Sequence, residues 1–357
     1  MAVTKLFEEY QFLSIFVSFI IGLAFMPLVL KIARTKHFVA KPNKRMSHTG
    51  EIPNVGGLDI CFSFLFTYIL FEYDTLQQSQ FVLFGVLMIL AVGFADDVLD
   101  LSPLSKLLGE TAAGIAIIGF ADIRITHLHG FLGITTLHPV VSYLLSFFIL
   151  IAIVNALNLI DGVDGLASGL GILYCLFFAI YFQFAGMEAW AMLAYSLVGA
   201  LAVFFMYNVF GGKRRRIFMG DSGSLMLGYM LTTFVFVFCE ANAYREVPEN
   251  MLCKAAPAVT ICVLSIPLFD TLRVMLTRIA HKKSPLSPDK NHIHHLLLKS
   301  GLSHLQTTCV LMSISLLLIL LGWFARNWNI WLLTAVDFVI CALFSLAVIY
   351  ASKRKEK

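Results

Sequence analysis

Acids, amides and histidines gather in this chain where long apolar runs end. Residues 155–166 read Asn-Ala-Leu-Asn-Leu-Ile-Asp-Gly-Val-Asp-Gly-Leu, squeezed between the apolar stretches 140–154 and 166–184. Polar groups at the end of a membrane-length helix are costly and point to function. A plain water-facing turn rarely needs two Asn, two Asp and two Gly so close together. Asn158, Asp161 and Asp164 fall along one edge if the preceding helix continues, and Gly162 and Gly165 argue that it stops. Either way they form a set of oxygen ligands.

A second set lies in Gly93-Phe-Ala-Asp-Asp-Val-Leu-Asp100. Asp96 and Asp100 are spaced to share a helical face, and Asp97 points about 100° away. Three acids this close repel unless a cation sits among them. Hard oxygen ligands suit Mg²⁺, which keeps phosphate oxygens as further ligands. A third stretch, Lys213-Arg-Arg-Arg-Ile-Phe-Met-Gly-Asp-Ser-Gly-Ser224, places Asp221 and Ser222 where an apolar run begins. Either can cap the helix, and a helix N-terminus also favours anions. The basic run by itself suits a topology anchor or an anionic-lipid contact.

A fourth stretch, Ser287 to His295, holds His292, His294 and His295 with Asp289 and Lys290. The helical His-Glu-x-x-His zinc pattern is absent. Beside carboxylates and phosphate, these groups read as clamps on negative charge. A fifth, Lys41 to Gly57, carries Lys41, Lys44, Arg45 and His48 and suits an anionic ligand. Asp59, Glu110, Asp270 and Arg273 read as bundle-interior partners, and Asp337, in the last apolar run, as helix packing.

The elements that must position these groups are membrane helices. The 357 residues are 59% hydrophobic and only 13% charged, about half the charge of a typical soluble domain. No cleavable signal peptide is evident. The composition predicts an all-α polytopic integral membrane protein. Apolar runs at about 12–33, 57–73, 80–95, 105–121, 140–158, 166–185, 189–210, 222–240, 252–275, 306–325 and 330–350 predict eleven spans. With alternate loops on opposite sides, 20 of the 26 Lys and Arg fall on one side. The positive-inside rule makes that side cytoplasmic, with a periplasmic N-terminus and a cytoplasmic C-terminus. All five polar stretches lie on it. Residues 124–138 alternate loosely around Gly130 and Gly133 and predict a short periplasmic β-hairpin. The seven cysteines form no Cys-x-x-Cys and mostly sit inside apolar runs, as small buried hydrophobes. Residues 1–357 therefore read as a single transmembrane catalytic domain. Its site would be built from loops at about 34–56, 96–105, 155–166, 211–222 and 276–305.

Cation ligands and anion clamps at one bilayer face suit a reaction joining a water-soluble phosphate donor to a lipid phosphate. A cation-coupled transporter is the competing class, but the acids gather at one face instead of crossing the midplane.

The motifs Asp-Asp-Val-Leu-Asp, Asn-x-x-Asn-Leu-Ile-Asp-Gly-Val-Asp-Gly-Leu, Phe-Met-Gly-Asp-Ser-Gly-Ser and His-Ile-His-His resemble, in order, those of the polyprenyl-phosphate N-acetylhexosamine-1-phosphate transferases. The His-Ile-His-His after Ser-Pro-Asp, and the Lys-Pro-Asn to Gly-Gly stretch, are similar to the WecA-like branch. One departure is Lys290, where the branch usually has Arg; the charge survives without the bidentate fork. The resemblance implies transfer of N-acetylglucosamine 1-phosphate from UDP-N-acetylglucosamine to undecaprenyl phosphate, with release of UMP, at the bacterial inner membrane. That step would begin O-antigen, enterobacterial common antigen or a related envelope glycan. By motif match, Asn158 and Asp221 would ligate Mg²⁺, with Mn²⁺ able to substitute. Asp96 and Asp97 would sit by the lipid phosphate, with Asp97 the candidate base, and Asp161 would support the site. Asp164 and Phe218 would lie near the uracil. His292, His294 and His295 would hold phosphates and orient the sugar, and Lys41, Arg45, His48, Asp289 and Lys290 would contact substrate. The expected partners are the two substrates and the lipid bilayer, with no nucleic acid; a homodimer is suggested by resemblance alone.

Overall fold

The computed structural model describes residues 11–38, 52–71, 76–282 and 291–355. The described residues form α1 (Leu13–Thr35), α2 (Gly56–Phe71), α3 (Leu76–Leu99), α4 (Pro103–Gly114), α5 (Pro139–Ile160), α6 (Leu166–Phe184) and α7 (Glu188–Phe210). There follow α8 (Gly212–Arg215), α9 (Gly220–Ala243), α10 (Ala256–Val263), α11 (Ser265–Ala280), α12 (Ile293–Lys299), α13 (His304–Phe324) and α14 (Ile330–Lys355).

Eight of these helices, α1, α3, α5, α6, α7, α9, α13 and α14, are long and apolar enough to cross a membrane; the number is nine if α10 and α11 form one span. Their outward faces carry Phe16, Ile20, Leu144, Phe148, Leu317 and Leu343, all more than half exposed. A contiguous apolar exterior of this kind needs lipid around it. The protein is therefore a polytopic helical membrane protein. Every one of the eleven apolar runs is helical, but two fall short of a regular span. The run expected at 57–73 is a 16-residue helix, and that at 105–121 is divided between α4 and a π-helical segment, Ile115–Phe120. The 252–275 run is also broken, with α10 and α11 bent by 80°. Pro267 has no N–H to return to Val263, so the helix cannot continue regularly through Leu264. Ser265 Oγ holds the break from α14 by donating to Asp337 Oδ1 at 2.7 Å, which gives Asp337 its packing role.

The expected hairpin is a turn with one antiparallel bridge, between His127 and Thr136. No ladder follows: residues 131–133 close into a 3₁₀ turn, and no strand occurs among the described residues. Six of the seven cysteines are buried, all are free, and only Cys309 is exposed.

α9 is the axis. Its whole apolar window is buried, and it packs against α2, α3, α5, α6 and α10. Small residues allow this at the end where Asp221 lies. A Cβ on Gly57 would meet Gly223 N at 2.3 Å, and one on Gly93 would meet Asp221 O at 2.5 Å. Backbone therefore touches backbone, as in other close helix crossings within membranes. That contact carries the C-terminal turn of α3 and the N-terminal turn of α9 to the same point.

Candidate active site

Asp97, in the last turn of α3, binds the start of α9 directly. Its Oδ1 accepts from Asp221 N at 2.8 Å and its Oδ2 from Ser222 N at 3.0 Å. These are N–H groups of the first turn of α9, with no partner inside their own helix. A carboxylate there also suits the positive end of the helix dipole. Asn54 Nδ2 donates to the same Oδ1 at 2.7 Å. Asn54 is held because residues 53–57 lie along 217–219: Phe218 N donates to Pro53 O at 2.8 Å and Gly56 N to Phe218 O at 2.9 Å. The end of the first polar loop thus forms one wall of the site.

Lys106, in the first turn of α4, sits at the centre. Its ammonium contacts Asp96 Oδ2 at 3.1 Å, Asp221 Oδ2, and Asn158 Oδ1 at 3.4 Å. Asn158 Nδ2 donates to Asp221 Oδ1 and Ser224 Oγ, both at 2.9 Å, which turns its amide oxygen toward the ammonium. Two carboxylate oxygens and an amide oxygen therefore converge on a cation. No group of three His, Cys, Asp or Glu is arranged as metal ligands among the described residues. The set nonetheless fits Mg²⁺, which binds through one or two carboxylates and completes its shell with water and phosphate oxygens.

In the sequence, Lys106 is only one of the 20 basic residues assigned to the cytoplasmic side. The missed signal was local. Ser102 accepts from Ser105 N and Pro103 opens α4, so only three residues separate the new helix from the end of α3. Lys106 then lies one short turn away from Asp96.

Asp100 does not join the site. α3 ends at Leu99, and Asp100 is exposed with a φ of 59°. The helical face it was expected to share with Asp96 is not formed. Asp96 Oδ1 instead accepts from Leu101 N at 2.8 Å, closing the turn.

The opening stretch divides its labour. Asn155 donates to Glu110 Oε2 at 2.7 Å and ties α5 to α4, so its role is packing. Asp161 follows the end of α5. Burial, then the carboxylates of Asp221, Asp97 and Asp164, push its pKa well above the usual range. Asp164 lies beyond, paired with Arg216 and with His304 Nδ1, the latter at 2.7 Å. Burial raises its pKa, but hydrogen bonds from His304 and Arg216 outweigh this and hold it below the ordinary carboxylate value. The Arg216 guanidinium also lies 5.9 Å from the Phe218 ring centre. Asp164, Arg216 and Phe218 thus form one contact group beside the Asp96–Lys106–Asp221 cluster.

The histidines approach from α12. Asp270, on α11, accepts from His292 Nδ1 at 2.8 Å, Ile293 N at 3.0 Å and Arg273 Nη2 at 2.7 Å. His294 is buried, and its Nε2 would lie 3.0 Å from a Cβ on Gly162. The histidine cluster therefore abuts the Asp161–Gly165 turn. Burial, with His295 next, lowers the His294 pKa to about 3, so it is a neutral imidazole at pH 7. Among the described residues, its buried Nδ1 has no hydrogen-bond partner. The His295 ring lies 4.3 Å from that of His294. Lys41, Arg45, His48, Asp289 and Lys290 lie outside the described residues.

Residues 79–239, which supply Asp96, Asp97, Lys106, Asn158, Asp161, Asp164 and Asp221, match the model of glycosyl transferase family 4. The chain is 28% identical to the undecaprenyl-phosphate alpha-N-acetylglucosaminyl 1-phosphate transferase of Escherichia coli O157:H7, over 95% of this chain and 90% of that protein. It is 29% identical to the Yersinia pestis protein of the same name, over 94% and 90%. A probable undecaprenyl-phosphate N-acetylglucosaminyl 1-phosphate transferase of Bacillus subtilis (strain 168) is 28% identical, over 93% and 90%. Through this shared core, the chain is similar to glycosyl transferase family 4, and the similarity to these transferases extends over most of its length.

Proposed function

We propose that this protein transfers N-acetylglucosamine 1-phosphate from UDP-N-acetylglucosamine to undecaprenyl phosphate, releasing UMP. The observation that carries this reading is the convergence of Asp96, Asp221 and Asn158 on the Lys106 ammonium, at one end of an apolar helix bundle. Relatives named for the same transfer, similar over nine-tenths of their length, support it. The site faces the cytoplasm of a bacterial inner membrane, a placement supported by the 20 of 26 basic residues assigned to that side. The product begins an envelope glycan of the O-antigen or common-antigen kind.

Asp221 and the amide oxygen of Asn158 would hold Mg²⁺, which when bound neutralises the donor pyrophosphate and eases departure of UMP. Lys106 supplies fixed positive charge beside the same oxygens, where negative charge develops during transfer. Asp97 holds α9 in place; its Oδ1 accepts two hydrogen bonds, whereas its Oδ2 accepts one and retains a lone pair for the approaching acceptor. The acceptor is a phosphate monoester with a second pKa near 6, already mostly dianionic at neutral pH. It attacks the β-phosphorus directly, and proton removal by Asp97 assists without being obligatory. Asp164, Arg216 and Phe218 form the nucleotide end, and His294 and His295 the sugar-phosphate end.

The test is UMP release by purified protein in detergent, with Mg²⁺, undecaprenyl phosphate and a panel of UDP-N-acetylhexosamines. UDP-N-acetylglucosamine should give the highest kcat/KM. Release without a closed vesicle distinguishes transfer from transport. Stoichiometric UMP from enzyme and donor with no lipid phosphate present would replace direct attack by an aspartyl-linked intermediate.

A further inference from the structure

The basic run at 213–216 divides in space. Arg216 turns to Asp164 in the site just described. Arg214 and Arg215 turn the other way, to the C-terminal end of α1. There they line a pocket of about 570 Å³ with Lys31, Arg34 and Tyr207, floored by Pro27 and Leu30. The Arg34 guanidinium donates to the Arg214 carbonyl, so α1 and α8 are joined at this point. Lys31, Arg34, Arg214 and Arg215 are all exposed. Among the described residues, no carboxylate forms an ion pair with any of the four.

Four cations around one recess repel one another unless an anion lies among them. Guanidinium forks match phosphate oxygens in particular. The position narrows the source of that phosphate. Leu28 and Ile32, on the neighbouring turns of α1, are exposed apolar side chains. The recess therefore sits at headgroup depth, with apolar helix surface running away from it in one direction. We propose that this pocket binds the phosphate headgroup of an anionic phospholipid, whose acyl chains lie along α1. Basic pockets between membrane helices on the headgroup side are suited to such lipids. The assignment is independent of the transferase reading and concerns a different pocket on the same face.

The experiment uses the full chain, stripped of lipid in detergent and titrated with phosphatidylglycerol or phosphatidylcholine, with adducts counted by native mass spectrometry. Wild-type protein should bind phosphatidylglycerol about tenfold more tightly than phosphatidylcholine. Arg34→Gln combined with Arg214→Gln and Arg215→Gln should erase the preference. Lys353→Gln with Arg354→Gln, in the last turn of α14, should leave it intact. Arg215→Gln alone, at an exposed position, should weaken it severalfold and keeps the test decisive if the triple variant fails to fold. Absence of a preference in wild-type protein, or its survival in the variants at Arg215, would overturn the proposal. So would displacement of phosphatidylglycerol by millimolar inorganic phosphate, which would make the pocket a free-anion site. Displacement by undecaprenyl phosphate would overturn it too, by reassigning the pocket to the acceptor.

Discussion

Two clusters of charge lie on the same face of the bundle, and they are built differently. Around Lys106, the carboxylates of Asp96 and Asp221 share one ammonium, and Asp97 and Asp161 lie close by. Around Asp270, one carboxylate meets both Arg273 and His292. The first cluster carries surplus negative charge and is partly open, with the Asp221 side chain 31% exposed. The second is balanced and closed, with the Asp270 side chain 4% exposed. Surplus charge that can be reached is where a cationic ligand adds most; balanced buried charge fixes geometry. The carboxylate cluster is thus the proposed chemical centre, and the Asp270 cluster sets the position of α12 and its histidines.

The largest expected effect is at the centre. Asp221→Asn keeps the size of the side chain and removes the charge that faces both Lys106 and the proposed Mg²⁺ position. UMP release should fall by about a thousandfold, or about 4 kcal/mol in transition-state terms. The protein should still elute as a folded species in detergent. A near-normal rate would end the metal assignment.

The balanced cluster should respond in stability first. Asp270→Asn leaves Arg273 and His292 without their shared carboxylate in a buried place. Breaking such a pair costs roughly 2–4 kcal/mol once the partial exposure of Arg273 is allowed for. The thermal midpoint should drop by several degrees, while kcat per folded molecule falls less than for Asp221→Asn. An unchanged midpoint together with a collapsed kcat would place Asp270 in the chemistry and erase the distinction between the clusters.

The same distinction governs what the sequence could reveal. The carboxylate motifs were legible because acids at the ends of apolar runs have few structural excuses. Orientation by loop charge then gathered them on one side. Lys106 was hidden for the opposite reason: a lone lysine at a helix start is ordinary, and only the length of the turn before it brings it to Asp96. Asp270 was legible as an interior partner, but its pairing with His292 spans 22 residues of sequence and depends on the α10–α11 break. That break, in turn, was obscured because Pro267 lies within an apolar run that is continuous in composition. Asp100 was misplaced because helical spacing was extended one residue past the real end of α3.

Asp161 tests the surplus of charge itself. Its folded pKa is raised above the unfolded value, so the charged form is penalised in the folded protein. The penalty is absent at low pH and grows as pH rises from about 4 toward the raised value. Asp161→Asn removes it and should stabilise the ligand-free protein by about 1 kcal/mol at pH 7.5, while lowering UMP release. A loss of stability would mean that Asp161 is compensated as fully as Asp270.

His294 gives the finest comparison, because it belongs to the balanced side yet touches the turn of the other at Gly162. Its folded pKa of about 3 lies below the unfolded value of about 6.5. The unfolded chain therefore binds a proton that the folded protein refuses. Stability contributed by the neutral ring is complete above about pH 6.5 and declines as pH falls, by about 1.4 kcal/mol per unit in the window down to about 3. His294→Gln should flatten that part of the unfolding curve between pH 5 and 6.5. If His294 acts as a neutral donor, wild-type UMP release should show no ionisation of this ring between pH 5.5 and 8. An acid limb in the kinetics that disappears in His294→Gln would instead make it a titrating member of the chemical centre, and the boundary between the two clusters would move to include it.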